Sequence, residues 1–536
     1  MVYNRTFVID SENLQSVVSR LYGYMVTDDG EIYVDEIPEK ISDTGMFILV
    51  QKTDGVLIIK QDFLASFGLY LYRKGKRFCI SNSFFRLAEH RKGKITPHKA
   101  AIRELASCPD VPMWEDETPV REIRRLKSQE SIQVDLHAGT LTVLRKEYNY
   151  YKRKLDCEEA FRDLDDWYYK WVRVFRNLVK EHCPVRADLS GGLDTRLILS
   201  MLRNSNVDIN SGIEYQTHDF INLEKDKEDR QIAREIASEL NLVLNKEVIP
   251  QSMSDAVYTA ADAYGNCRFS TFGRSLMCKY VARLYDRPVF CLKGLGSTTK
   301  GGYWKKPEKA VVRYVQSYLD MYSPQGILSD LRIRWKRRAL KKSFRRRSEQ
   351  ILEGYEHTDP HRSTLLYKKL KMENMDAGKA MDWMAAGQIV ISPFIDPALA
   401  QFDYDPGDRD ILFLNTLILD RYDPELLRFP IEGRAFKEET LSRVRELNQR
   451  FPLTRPDFEA VIGSPSGIGV VSLEKDDIPE FLGSLCRNPD FNRALCRFIP
   501  SDYVQKVLGQ TDFDKMNLRL QTLNGFLAIY ELLKLF

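Results

Sequence analysis

Residues 186–201, Arg-Ala-Asp-Leu-Ser-Gly-Gly-Leu-Asp-Thr-Arg-Leu-Ile-Leu-Ser-Met, are the most informative stretch of this chain. An apolar approach runs into Leu189-Ser190-Gly191-Gly192-Leu193-Asp194-Thr195-Arg196 and then into an amphipathic apolar run, which reads as strand, tight loop and helix. Two adjacent glycines let backbone N–H groups fold around an anion, and the helix that follows turns its positive end to the same point. Ser190 and Thr195 add hydroxyls, Arg196 adds a fixed cation, and Asp194 offers a carboxylate to a divalent metal. Such a site suits a metal-bound pyrophosphate, as in Mg2+–ATP. No Gly-Lys-[Ser/Thr] follows, so this is not a Walker loop, and the third glycine of the dinucleotide fingerprint is missing. The plainer alternative is a loop glycine pair leading into a helix cap.

The elements that must hold this loop change character along the chain. The first 150 residues read mainly as strands, with short apolar runs at 45–50, 55–60 and 69–72. Thr53-Asp54-Gly55 and Lys74-Gly75-Lys76 read as hairpin turns, and Ala138-Gly139 as a third. Residues 97–107 carry a helical period, and the charged stretch Arg145–Asp156 reads as a linker. From about Glu158 the rhythm becomes helix, strand, helix: an amphipathic run from Trp167 to Glu181, the loop, a strand over 210–216, a helix over 228–240 and a buried strand over 287–292. Strands alternating with helices imply a parallel sheet with ligands at its carboxyl edge. Beyond Tyr303 the sequence reads as mainly helical.

The bulk numbers narrow the field. At 536 residues the chain has room for two or three domains, and 43% apolar with 29% charged residues is the composition of a soluble globular protein. A net charge of +4 excludes a strong polyanion binder overall. Neither a charged-then-apolar leader nor an apolar run of membrane-spanning length is seen, so the expected location is cytoplasmic. Nine scattered cysteines, none in Cys-x-x-Cys spacing, argue against a disulfide framework or a structural zinc.

The loop resembles the Ser-Gly-Gly-x-Asp-[Ser/Thr] pyrophosphate loop of the PP-loop ATP pyrophosphatases, and further landmarks resemble the asparagine synthetase family. Asp62 through Gly68-Leu69-Tyr70-Leu71-Tyr72, then Ile123-Arg124-Arg125-Leu126 with Val134-Asp135-Leu136 and Gly139, resemble its amidotransferase domain. Ser392-Pro393-Phe394-Ile395-Asp396-Pro397-Ala398-Leu399 resembles its late Val-Pro-Phe-Leu-Asp-x-x-Leu motif. The resemblance implies a multidomain protein of α/β and α+β class. An Ntn-hydrolase-like αββα sandwich would span 1–150, and a PP-loop, Rossmann-like parallel sheet with a helical extension would span 158–536. It implies ATP and Mg2+ as cofactors and adenylation of a carboxylate, from a small molecule, sugar acid or peptide, followed by coupling to ammonia or an amine. Leu189, Ser190, Gly191, Gly192, Leu193, Asp194, Thr195, Arg196, Gly212, Lys293, Gly294 and Gly296 form the expected nucleotide set. Asp194 is the metal ligand, and Arg196, Arg434 and Lys437 are the expected catalytic cations.

Two departures qualify what the resemblance implies. Where glutamine-hydrolysing members carry a cysteine after Met1, this chain has Val2, so glutaminase activity is not expected. In Lys293-Gly294-Leu295-Gly296-Ser297-Thr298-Thr299-Lys300, the family's glutamate and aspartate are replaced by Leu295 and Thr298. Leucine accepts no proton, and a hydroxyl is a poorer metal ligand than a carboxylate. A retuned ligase and a catalytically impaired nucleotide-binding scaffold both fit this pattern. His218, Asp219 and Asp229 are further residues that could border the pocket, while Tyr168, Tyr169 and Trp171 read as core. The basic run 332–347 reads either as a solvated helix or as a contact for a membrane surface, an acidic polymer or RNA. Assembly as a homo-oligomer stays open.

Overall fold

The computed structural model describes residues 6–102, 116–148, 150–217, 224–246, 288–296, 334–359, 361–377, 388–403, 412–431, 435–462, 487–497 and 532–536, with isolated positions at 309, 311–312, 380–381, 384, 410, 468, 501, 504 and 530. Within them the fold is mixed α/β, with two antiparallel sheets and one parallel sheet.

The strands of the first half are β1 (Val8–Asp10), β2 (Arg20–Val26), β3 (Ile32–Val34), β4 (Thr44–Thr53), β5 (Val56–Gln61), β6 (Tyr70–Lys74), β7 (Arg77–Ser81), β8 (Ile123–Arg125), β9 (Glu130–Asp135) and β10 (Thr140–Arg145). They form a four-stranded sheet, β1-β7-β6-β8, and a six-stranded sheet, β10-β9-β5-β4-β2-β3. β4 is buried along its first seven residues on both faces, whereas β5 alternates half-buried and buried positions. The hairpins form where the glycines stand: Thr53 pairs with Val56 around Gly55 at φ +80°, and Lys74 pairs with Arg77 around Gly75 at φ +64°. Both torsions lie in the left-handed region that glycine enters without a Cβ clash. Of the expected 97–107 helix, residues 97–102 are described: Pro97 forms a bridge with Val120, and Lys99, Ala100, Ala101 and Ile102 are helical.

The second half is built on β11 (Val185–Asp188), β12 (Ile213–Thr217), β13 (Leu244–Lys246), β14 (Val289–Leu292) and β15 (Gln388–Ile391), ordered β13-β12-β11-β14-β15 with every pairing parallel. β15 is a strand that the reading of a mainly helical region beyond Tyr303 did not single out. Gln388-Ile389-Val390-Ile391 is buried at every position, and a four-residue apolar run carries no period that separates strand from helix. The long helix α1 (Glu158–Lys180) starts nine residues before the amphipathic run read from the sequence. Arg162, Asp163, Asp165 and Asp166 mask its first turns, yet Ala160, Phe161 and Leu164 continue the buried stripe to Trp167, Trp171 and Phe175. Glu158 and Glu159 stand at its positive end and Lys180 at its negative end. Tyr168, Tyr169 and Trp171 are core, as read.

The stretch 145–156 is not a free linker. Tyr150, Tyr151 and Leu155 are buried, and the amides of Tyr151 and Arg153 donate to the carbonyls of Ala400 and Gln401 at 3.0 Å each. The Tyr148 and Phe63 ring centroids lie 5.0 Å apart, edge to face. Further ties cross between the halves: Tyr24 donates through its hydroxyl to the Val390 carbonyl at 2.6 Å, and Arg125 donates to the Glu373 carbonyl at 2.9 Å. One continuous buried cluster runs through both halves.

Candidate nucleotide site

The site is built where β11 ends. Its last residue, Asp188, is followed by Leu189, whose amide donates to the Gln216 carbonyl of β12 at 2.8 Å, so the chain leaves the sheet at its carboxyl edge. Ser190-Gly191-Gly192 then turns directly into α2 (Leu193–Arg203), with Gly192 as its N-cap and Asp194 in its first turn. This is the strand, loop and helix read from the sequence.

The loop is shaped by its own hydroxyls. The Ser190 amide donates to Thr195 Oγ1 at 3.2 Å, the two hydroxyl oxygens lie 3.1 Å apart, and the Gly192 amide donates to Ser190 Oγ at 3.0 Å. Ser190 and Thr195 thus close the turn on itself. Two glycines are crowded by close approach: a Cβ on Gly191 would stand 3.0 Å from Asp229 Oδ1 and from Ile232 Cδ1, a tight fit. A Cβ on Gly294 would stand 2.7 Å from the Cβ of Asp194. The sheet therefore brings Asp229 and Gly294, two contributions from distant sequence, to the loop and its Asp194. Asp194 is half-buried and accepts from Asn415 Nδ2 at 3.3 Å.

Arg196 is corrected from a phosphate-facing cation to an internal tether. It is fully buried, and its guanidinium donates to the carbonyls of Gly191 (2.9 Å), Phe429 (2.9 Å), Leu426 (3.3 Å) and Pro430. Burial pushes its pKa down to about 10, while the Asp229 carboxylate pulls it back up. A charged fork with that many carbonyl partners holds the 426–430 turn against the loop.

Lys293 is corrected in a similar way. It follows β14, and because Ala187 pairs with Leu292 it stands beside Asp188 on the neighbouring strand. Its ammonium lies 3.1 and 3.0 Å from the two Asp188 oxygens, and Gln216 Nε2 donates to Asp188 Oδ1 at 2.6 Å. Sequence reasoning missed Asp188; its only signal is an acid in an otherwise apolar strand end, and the partner is named only by sheet register.

Gly212 does not belong to the site. It precedes β12 at φ +82°, and Ile213 pairs with Val185 at the opposite end of β11, about 13 Å of strand away from the loop. Gly296, at φ +76°, sits where the halves meet: a Cβ would stand 2.8 Å from Ile395 Cγ2 of its own half and 3.2 Å from Leu64 Cδ1 of the first. Leu295 is partly buried, and its carbonyl accepts from Ser392 Oγ at 2.6 Å. Lys437 caps a helix over Glu438–Arg450, is more than half exposed, and lies 3.8 Å from Asp410, away from the loop's described contacts. Arg434, His218, Asp219, Thr298, Thr299, Lys300 and Val2 lie outside the described residues.

Two donor sets bear on ligands. At the loop, Asp194 is a hard carboxylate that fits Mg2+, an ion bound through one or two carboxylates, substrate phosphates and retained waters, while the positive helix end favours the phosphates. Thr217 Oγ1, at the carboxyl end of β12, is buried and has no hydrogen-bond partner among the described residues. The second set, Asp10, Cys79 and His90, has the spacing of a metal centre. There the Arg91 guanidinium already bonds Asp10 and supplies the cation, and burial pushes the Cys79 thiol up to about 11.

A separate cavity of about 710 Å³ opens between the halves, lined by Asp43, Lys60, Lys146, Lys170 and Asp396 among others. Its charges are internally matched: Asp43 bonds Lys60 and Lys146, and Lys170 lies 3.0 Å from Asp396. Among the described residues no helix is long and apolar enough to cross a membrane. No protein-family model and no curated protein matches this chain.

Proposed function

We propose that the chain is an ATP-dependent, AMP-forming amide ligase of asparagine synthetase type, with an Ntn-hydrolase-like first domain lacking glutaminase chemistry and a PP-loop second domain. The observation that carries this reading is the Ser190–Asp194 turn at the carboxyl edge of an all-parallel sheet, entered from β11 and leaving into α2. That is the place where a doubly wound sheet presents anions with helix N–H groups.

In the reaction, a substrate carboxylate oxygen attacks the α-phosphorus of ATP and the bond to the β-phosphate breaks, releasing pyrophosphate. Ammonia or an amine then attacks the acyl carbon, AMP leaves, and the amide forms as the nitrogen loses a proton. The amides of Ser190 and Gly192 are used within the turn, so it is the N-terminal end of α2 that would stabilise the charge growing on pyrophosphate, with Arg196 behind it as a positioning residue. Asp194 would hold Mg2+, which supplies charge neutralisation on the phosphates when bound.

The test incubates the purified chain with Mg2+–ATP, carboxylate pools and ammonium or amines, and measures AMP and pyrophosphate. AMP that depends on both pools and is lost in Asp194→Ala supports the ligase; no AMP with any pool overturns it. One observation favours a second reading, a nucleotide-binding scaffold: two of the cations anticipated at the site, Arg196 and Lys293, are spent on internal partners. Calorimetry showing tight, Asp194-dependent ATP binding without turnover selects that reading.

A further inference from the structure

We infer that the helix Arg334–Ile351 is a docking surface for a single-stranded nucleic acid backbone, separate from the nucleotide loop. Residues 334–347 hold nine arginines and lysines and no acid, against a chain total of +4, so the remaining residues sum to −5. The basic charge is therefore concentrated on one element of an otherwise acidic molecule.

The helix shows which side faces out. Phe344, Ser348 and Leu352 are buried, and Arg347 lies 2.5 Å from Glu117, fixing the rotation of the helix on the body. Arg338, Lys341, Lys342, Arg345 and Arg346 are exposed. At 100° per residue these five fall within an arc of about 140°, along roughly 12 Å of helix. Arg338, Lys342, Arg345 and Arg346 have no ion-pair partner among the described residues.

Two features choose the occupant. An interfacial membrane helix buries an apolar face in lipid, whereas here Phe344 is used by the protein's own core. The basic stripe is also short: Glu349, Glu353 and Glu356 follow it directly in sequence, the last two exposed, so its roughly 12 Å suit a narrow strand crossing the helix better than a planar bilayer. Within a Debye length of about 8 Å such neighbours count, and beyond it they are screened. Three of the five exposed cations are arginines, whose planar forks pair with phosphates and stack on unpaired bases.

The test measures fluorescence anisotropy of a labelled 20-nucleotide poly(U) RNA on the full chain, with phosphatidylserine vesicles and heparin as parallel arms. Five phosphate contacts give a log–log salt slope of about −3.5, roughly a hundredfold weaker binding at 200 mM than at 50 mM salt. Replacing Arg338, Lys342, Arg345 and Arg346 by Gln is expected to weaken RNA binding at least tenfold, with an unchanged melting temperature. The double variant R345Q/R346Q should lie between. RNA binding equal in wild type and variant, no RNA binding at 50 mM salt, or variant-sensitive binding to vesicles or heparin without RNA binding would each overturn the inference.

Discussion

The Lys293 ammonium lies 3.0 Å from Asp188 Oδ2, across the seam between two parallel strands, with Asp188 two residues before the Ser190–Asp194 turn. Both side chains are largely buried, so the pair fixes how the two strand ends present their loops. Breaking such a pair from one side leaves an uncompensated buried charge, a loss of about 3–5 kcal/mol.

Lys293→Met and Asp188→Asn should each destabilise the chain by about that much, while the double variant should recover at least half of the loss. Urea denaturation of the three variants and wild type forms the cycle. Additive losses in the double variant would show that the two residues do not act as a pair.

The three glycines at the turn should rank by what a methyl group would meet. Gly294→Ala strikes the Asp194 Cβ at 2.7 Å, a contact with nothing flexible to give way. Gly191→Ala meets Asp229 and Ile232 at 3.0 Å, and Gly192→Ala meets only Ser190 Oγ at 3.2 Å. Overpacking costs about 1–3 kcal/mol, so stability should fall most for G294A and least for G192A. Thermal melts of the three variants test the order, and a reversed order would refute the loop geometry.

Arg196→Ala should behave as a folding defect rather than as the loss of a phosphate ligand. It strips the buried carbonyls of Gly191, Leu426, Phe429 and Pro430 of a shared donor, each such bond being worth about 1.5–3 kcal/mol. Arg196→Lys keeps one donor group and should recover part of the stability. Wild-type melting with selectively weakened ATP binding in R196A would instead restore Arg196 to the phosphates.

Acid should release the π-helical run Tyr367–Asp376 through Glu373. Burial alone would raise its carboxyl, but Lys368, 2.8 Å away, and Lys369, 3.2 Å away, outweigh burial and hold it at about 2, below the ordinary 4.5. A depressed folded-state pKa gives stability that is complete above 4.5 and lost as the pH falls toward 2. Glu373→Gln should therefore be less stable at pH 7 and should lack this component of the acid loss. Denaturation midpoints between pH 7 and 2.5 provide the check; parallel curves for variant and wild type would contradict it.

The local grammar of the Ser190–Asp194 turn was legible in the chain. Ser190-Gly191-Gly192 before an apolar period reads as a strand, a tight turn and a helix, because the glycines free the backbone to turn and the apolar period continues as one helix face. The hairpins at Gly55 and Gly75 are equally local, since their positive φ values follow from residue type.

Partnership was not legible. Arg196 reads as a phosphate ligand in one dimension, but helix phase turns it toward the carbonyls of 426–430, more than 200 residues away. Gly212 reads as a loop glycine near a ligand, but parallel register sets it at the wrong end of the sheet. Asp188 gains meaning only when β14 delivers Lys293 beside it. Residue type and spacing determined which backbone shapes were available here; which charges were neutralised, and which faced the site, was decided by strand order and helix phase, because those alone set distances between groups remote in sequence.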